Sequence, residues 1–220
     1  MSSNISKSNV SLQKFTEEST HCDREKWRNL NLQFSHSPNN LKLGTQRILF
    51  CLEHDLTEFL AGALQDLFVS LEDSGWSLRH RMYNLCSPLL QYTERKYFQK
   101  WLADSTDTEI EYISFSGSVL MSQSVSRVND DLNKNNIDEI QLLAHELIEK
   151  GKLAKAQRLL EETCLNNHKL KPINQELQQF YFYSENKNAL SGFILTLQGA
   201  KKKPLKSWLE LQEKSKSWQA

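Results

Sequence analysis

The stretch IDEIQLLAHELIEKGKLAKAQRLLEETCLNNH, residues 137–168, indicates the fold more clearly than any other part of the chain. On both sides of Gly151, apolar residues recur at intervals of three and four, which is the spacing of one face of an α-helix. Glycine readily adopts the left-handed conformation that commonly ends a helix. The stretch therefore predicts two helices joined by a tight turn at Gly151.

This predicted hairpin resembles a tetratricopeptide repeat, a helical hairpin unit with small and apolar residues at fixed offsets. The matching residues are Leu143, Ala144, Leu147, Gly151, Ala156 and Leu160. Ile140 and Thr163 depart from the pattern, because the family often has tryptophan and alanine at these positions. The resemblance is confined to residues 137–168. It implies a neighbouring hairpin, since one repeat cannot bury both of its faces.

A second, weaker unit follows at the spacing that the resemblance requires, and Pro172 would open it. The apolar positions on its two helices would be filled by Leu177, Tyr181, Leu190 and Ile194. Residues 204–218 would then form a terminal helix with lysines on its outer side. Residues 137–220 are thus expected to form a tetratricopeptide-like helical module, with an irregular helical domain as the alternative.

Residues 44–103 predict a second helical module, a long antiparallel hairpin. A wide apolar stripe over residues 48–71 predicts one helix of roughly 40 Å. Another helical stretch follows over residues 77–102 and is interrupted by Pro88, which either starts a new helix or kinks a continuous one. The apolar face of this module leads us to expect a homodimer formed through residues 45–102.

Two polar segments lie outside these modules. Residues 1–43 are rich in Ser and Asn and predict a mostly disordered tail, in which residues 23–34 could form a short docking helix. Residues 104–136 predict a linker. Within it, the β-branched and aromatic residues of 109–121 favour a strand or short β-hairpin, although helical spacing also fits there.

The composition limits the class of protein. With 7 Gly and 4 Pro among 220 residues, the chain has too few turn residues for an all-β fold, so a mostly α fold is predicted. The 27 basic and 27 acidic residues give zero net charge, which does not favour general attraction to nucleic acid. The longest apolar run, Ile48–Leu52, is too short for a membrane span. Four widely spaced cysteines and the absence of a signal-like apolar start lead us to expect a cytoplasmic protein.

No pattern in the sequence predicts catalysis, a metal ion or a cofactor. His145 with Glu149, and His54 with Glu58, each place two metal-ligating residue types on one helix face, but such surface pairs are common and no second histidine completes a zinc motif. No nucleophile motif surrounds the thiols or serines. The sequence therefore predicts a protein without enzymatic activity.

The expected function is that of a helical adaptor or regulatory protein, which binds another protein in a groove of the hairpins at 137–200. The candidate contact residues are Leu143, Leu147, Gln157 and Tyr181. The alternative is a nucleic-acid-associated regulatory factor that uses basic clusters at 79–81 and 201–206. Its candidate residues are Arg79, Arg81, Lys201, Lys202 and Lys203.

Overall fold

The computed structural model describes residues 5–72, 74–103, 113–121 and 137–218, and for residues 5–19 it describes the backbone alone. In these ranges the chain forms ten α-helices and no strand, so the predicted mostly α fold is confirmed. The helices are α1 (Ile5–His36), α2 (Leu41–Glu53), α3 (Thr57–Ser70), α4 (Trp76–Cys86), α5 (Tyr92–Ala103), α6 (Ile137–Glu149), α7 (Leu153–Asn166), α8 (Lys171–Ser184), α9 (Lys187–Gly199) and α10 (Lys206–Lys214). Among the described helices, none combines the length and apolar character that crossing a membrane requires.

The helices form two lobes, each with its own hydrophobic core. Helices α2–α5 make up the N-terminal lobe, and α6–α10 make up the C-terminal lobe. Helix α1 packs against α2 on one side and against α6 and α8 on the other. It contributes Trp27 to the first core and Leu32 to the second. The two lobes are therefore held together largely by one helix that belongs to both.

Helix α1 corrects the prediction of a mostly disordered tail over residues 1–43 in its described part, residues 5–43, and it contains the segment 23–34 that was expected to form a docking helix. From residue 20 onward its side chains are described, and Trp27 and Phe34 are completely buried. Its polar residues made the segment look solvated, but several of them, such as Arg28 and Asn31, are also buried and hydrogen-bonded. A helix that contacts two different lobes lacks one continuous apolar stripe, which explains why its periodicity was weak in the sequence.

The apolar stripe at 48–71 belongs to two helices rather than one. Asp55, with φ of 54°, reverses the chain between α2 and α3, which pack against each other as a hairpin. A stripe long enough for one extended helix suits equally well two short helices folded face to face. Every position of α3 from Phe59 to Phe68 is buried, so this part of the stripe lies inside the protein, whereas Leu49 on α2 is 42% exposed. The homodimer through residues 45–102 stays a prediction.

The stretch at 77–102 is likewise divided into α4 and α5. Pro88 lies in the turn between the two helices, so it neither kinks a continuous helix nor opens the next one. Helix α5 begins at Tyr92, where the carboxylate of Glu94 accepts a hydrogen bond of 2.7 Å from the backbone N–H of Gln91. This side-chain bond satisfies a donor at the helix start, where a negative charge is also favourable.

The hairpin predicted at residues 137–168 is present as α6 and α7. Gly151 adopts φ of 77° in the turn, and Ala144 and Ala156 are completely buried at the helix crossing. A second hairpin of α8 and α9 follows, with Pro172 in the first turn of α8 and Glu185 in the left-handed conformation. Helix α7 packs on α8, and α10 closes the end of the lobe through contacts with α8 and α9.

Residues 113–121 form turns and a short helical turn, so the predicted strand is not observed there; residues 109–112 lie outside the described ranges. The backbone of this loop is paired by side chains instead of by a neighbouring strand. Gln65 bonds to both Ile113 and Phe115, and Asp66 accepts hydrogen bonds from the backbone N–H groups of Val119 and Leu120. Side chains of α3 thus supply four of the hydrogen bonds that the loop backbone makes.

The carboxylate of Asp66 also forms a fully buried ion pair with Arg47, at 2.8 Å. Arg47 in turn donates to Asn31 on α1 and to the carbonyl of Gly117 in the loop. Its guanidinium lies 4.6 Å from the ring centroid of Phe34, in cation–π geometry. One buried cation therefore connects α1, α2, α3 and the 113–121 loop.

Candidate partner-binding groove

Helix α8 presents one apolar face to the core and one amide-rich face to the surface. The buried positions follow helical spacing and are Ile173, Asn174, Leu177, Phe180, Tyr181 and Ser184. On the outer side lie Gln175, Gln178, Gln179 and Phe182. Phe182 is 45% exposed on this outer side, whereas phenylalanine side chains are usually buried.

A cavity of about 180 Å³ lies on one side of this outer face, between α1, α6 and α8. Its apolar lining consists of Leu32, Ile148 and Phe180. Its polar lining consists of His21, Glu25, Arg28, Asn29, His145, Glu176, Gln179 and Tyr183. The Nε2 atom of His145 lies 2.8 Å from the Oε1 atom of Glu176, so these two side chains are fixed against each other across the cavity wall.

A second, more open cavity of about 330 Å³ lies on the other side, between α8 and α10. Gln179 and Tyr183 line both cavities, so the two compartments meet along α8. Phe182 forms part of the second compartment, and Gln178 donates a hydrogen bond of 2.8 Å to Ser207 across it. We call the two compartments together the α8 groove.

The wall that α1 contributes is anchored on the end of α6. Trp27 and Asn31 donate hydrogen bonds to the carbonyl oxygens of Glu149 and Ile148, which lie in the last turn of α6. These carbonyls have no partner within their own helix. The carboxylate of Glu149 pairs with Arg24 at 2.6 Å and with Arg28 at 2.7 Å. These bonds offset the unfavourable position of an acidic side chain at a helix C-terminus.

Two side-chain amides of the groove are available to bond with another molecule. Within the described part of the chain, neither Gln175 nor Gln179 makes a hydrogen bond, and both are exposed. A glutamine amide offers two donors and one acceptor oxygen, which matches the paired N–H and C=O groups of a peptide backbone. The charge of Arg28 is already neutralised by Glu149. The groove is therefore suited to hydrogen bonding with a polypeptide more than to binding one strong charge.

The candidate contact residues predicted from the sequence lie outside this groove. Tyr181 is completely buried, and its hydroxyl donates to Glu161 at 2.6 Å, so it is a core residue and not a contact surface. Burial and the Glu161 carboxylate raise the pKa of Tyr181. Leu147 packs partly against the core of the C-terminal lobe. Gln157 bonds along its own helix to Glu161. Leu143 is half-buried and lines neither compartment.

The predicted basic clusters are also divided by the fold. Arg79 is buried, and it donates to the carbonyl of Phe68 at 3.1 Å, so it supports the N-terminal lobe. The ammonium of Lys202 donates to the carbonyl of Leu165. Of the five candidate residues, Arg81, Lys201 and Lys203 are exposed. The alternative of a nucleic-acid-associated factor stays a prediction.

The two histidine–glutamate pairs are separated in the same way. His145 pairs with Glu176, whereas Glu149 pairs with arginines of α1. His54 pairs with Asp23 at 3.0 Å. In the residues that can be described, no group of three or more potential metal ligands is found.

Sequence reasoning missed the α8 groove because one of its walls was not expected to be folded. Its α1 wall, including His21 and Glu25, came from the segment predicted to be disordered. The sequence does contain one weak signal for the other wall. Gln175, Gln179 and Phe182 are spaced by four and three residues, which places them on one face of α8.

In comparisons with known proteins, no family model, no curated protein and no solved structure matches this chain.

Proposed function

We propose that the protein is a non-enzymatic helical adaptor that binds an extended segment of another protein in the α8 groove. The observation that carries the proposal is the pair of exposed amides of Gln175 and Gln179, which have no hydrogen-bond partner in the described part of the chain, beside the half-exposed Phe182. An extended segment has unpaired backbone N–H and C=O groups at regular intervals. Hydrogen bonds to these backbone groups give affinity, and pockets for the peptide's side chains give specificity. Phe182 would supply the apolar anchor that binding sites commonly place among polar groups.

The size of the compartments supports a peptide rather than a compact cofactor. The cavity of about 180 Å³ is smaller than the ~300–1,000 Å³ of most small-molecule sites, and the compartment of about 330 Å³ beside it is too open to surround a small ligand. The smaller cavity suits a single side chain. The open compartment next to it continues along α8, so a peptide with one inserted side chain could extend from α1 toward α10.

The relation to tetratricopeptide repeats is part of the same proposal. Support comes from the α6–α7 and α8–α9 hairpins, which follow one another and pack through α7 and α8. A cytoplasmic location is also proposed, because the four cysteines are free thiols and three of them are buried.

The proposal can be tested with peptides selected from a random library displayed on phage. Binding of the selected peptides to the purified full chain would be measured by fluorescence anisotropy. Phe182→Ala and Gln179→Ala should each weaken binding about fivefold or more, as expected for contacts worth about 1 kcal/mol. Leu195→Ala is the matched control, because Leu195 is 66% exposed on α9 and lines neither compartment.

Two results would contradict the proposal. One is a set of peptides whose affinity is unchanged by both groove variants. The other comes from peptides in which each residue in turn is replaced by proline. If every such replacement abolished binding, the bound peptide would be helical, because an extended segment tolerates proline wherever its backbone N–H makes no contact.

A further inference from the structure

We propose that the outer face of α4 and α5 is a second docking surface, which binds an acidic protein segment carrying apolar side chains. This proposal is independent of the α8 groove, since the surface lies on the N-terminal lobe. It begins with a charge asymmetry. Residues 74–103 contain five arginines and lysines against one acidic residue, although the whole chain has zero net charge. The single acidic residue, Glu94, is engaged by the backbone N–H of Gln91.

The cations of this segment lie mostly on the surface. Arg81, Arg95, Lys96 and Lys100 are all exposed, whereas Arg79 faces the core. None of the four exposed cations forms an ion pair within the described residues. Arg95, Lys96 and Lys100 occupy one side of α5, opposite the buried Tyr97, Phe98 and Leu102. The outward side of α5 thus carries positive charges that no carboxylate of the described residues neutralises.

Exposed apolar side chains lie between these cations at the turn that joins the helices. Leu85 is 46% exposed, Leu89 is 51% exposed and Tyr92 is 63% exposed. Arg81 precedes Leu85 by one helical turn, and the ammonium of Lys96 lies 4.8 Å from the ring centroid of Tyr92. The apolar turn is therefore flanked by positive charge on both the α4 side and the α5 side. We call Arg81, Leu85, Leu89, Tyr92, Arg95, Lys96 and Lys100 the α4–α5 face.

The chemistry of the face favours an acidic protein segment over nucleic acid. Single-stranded nucleic acid gains much of its affinity by stacking bases on open aromatic rings. Here the ammonium of Lys96 lies over one face of the Tyr92 ring, and the His80 ring lies 4.1 Å from that of Trp76, so each ring already has a neighbour where a base would stack. Two exposed leucines offer nothing to a phosphate, but they match the apolar side chains of an acidic amphipathic segment.

The probe is a fluorescein-labelled peptide of glutamate and leucine, about 14 residues long, with its leucines at helical i, i+3, i+4 and i+7 spacing. Its binding to the full chain would be measured by anisotropy at low and moderate salt. Three comparison probes distinguish the sources of binding: a permuted peptide of the same composition, a single-stranded RNA, and vesicles of phosphatidylcholine with phosphatidylserine. We expect the amphipathic peptide to bind most tightly, and we expect its binding to weaken as salt rises.

The variants separate charge from apolar contact. R95E/K96E should weaken peptide binding at least tenfold, and L85S/L89S should weaken it about threefold or more with the salt dependence retained. K201E/K203E is the matched control, since it reverses two exposed cations of the C-terminal lobe and should leave binding unchanged. Circular dichroism would confirm that each variant keeps its helix content.

Several outcomes would overturn the proposal. They are the absence of peptide binding, equal binding of the permuted peptide, tighter binding of RNA or vesicles, and binding that R95E/K96E leaves unchanged. If K201E/K203E abolished binding instead, the docking surface would lie on the C-terminal lobe. The groove variant Phe182→Ala should have no effect on this probe, so the two proposals can fail separately.

Discussion

Replacing Asp66 with asparagine should destabilise the whole fold, because the carboxylate is the centre of a completely buried network. Asp66 is 0% exposed, and its two oxygens accept four hydrogen bonds. The donors are Arg47 at 2.8 Å, the Ser118 hydroxyl at 2.7 Å, and the backbone N–H groups of Val119 at 2.9 Å and Leu120 at 3.1 Å. An asparagine keeps the shape, but it has one acceptor oxygen and places an N–H₂ group against the donors that remain.

The expected loss of stability follows from the groups that Asp66→Asn leaves without a partner. Removing one partner of a buried ion pair typically costs about 3–5 kcal/mol, since the other charge stays buried without compensation. Here the remaining charge is Arg47, which is also 0% exposed. A loss of about 3–5 kcal/mol would be a large share of the ~5–15 kcal/mol by which a domain is stable. The variant should therefore unfold at much lower denaturant concentration.

The measurement is urea unfolding followed by circular dichroism, with Glu53→Gln as the control. Glu53 is an exposed carboxylate on α2 with no hydrogen bond or ion pair in the described residues, so its replacement should change stability by less than about 0.5 kcal/mol. A loss of less than about 1 kcal/mol for Asp66→Asn would refute the reasoning. The double variant Arg47→Leu with Asp66→Asn should cost less than the sum of the two single variants, because it removes the stranded charge.

The remaining predictions concern glycines and thiols. Gly151→Ala should lose about 1–3 kcal/mol in the same unfolding assay, because φ is 77° and the added Cβ would overlap the carbonyl oxygen of Ser118. Gly192→Ala is its matched control and should gain about 0.5–1 kcal/mol, since this helical glycine has nothing within 4 Å of an added Cβ. Burial raises the pKa of Cys51 to about 12, so iodoacetamide at neutral pH should label the exposed Cys22 and leave Cys51 unmodified in the folded chain, as mass spectrometry would show. Rapid labelling of Cys51 without denaturant, or equal stability of the two alanine variants, would contradict the packing described above.

The site was less predictable than the helices because its walls come from distant parts of the chain. Glu176 on α8 is easily placed on a helix from local spacing, but its pairing with His145 across 31 positions is not encoded in that spacing. The spacing of the second repeat-like unit placed Tyr181 at an apolar helix position, and its complete burial shows that this position belongs to the core. Periodicity distinguishes an inner face from an outer one, but it does not show which outer residues meet in a groove.

Local patterns were sufficient for the helical class and for the hairpin at Gly151, because helix spacing and a left-handed glycine depend on residues a few positions apart. The place of α1 between the lobes, the division of the 48–71 stripe and the conformation of the 113–121 loop depended on tertiary structure. The stripe is divided by a turn at Asp55, whereas α1 and the loop rest on polar contacts between residues far apart, such as Arg28 with Glu149 and Arg47 with Gly117. In sequence, buried polar residues of this kind look the same as solvated ones, because their partners become neighbours only when the chain has folded.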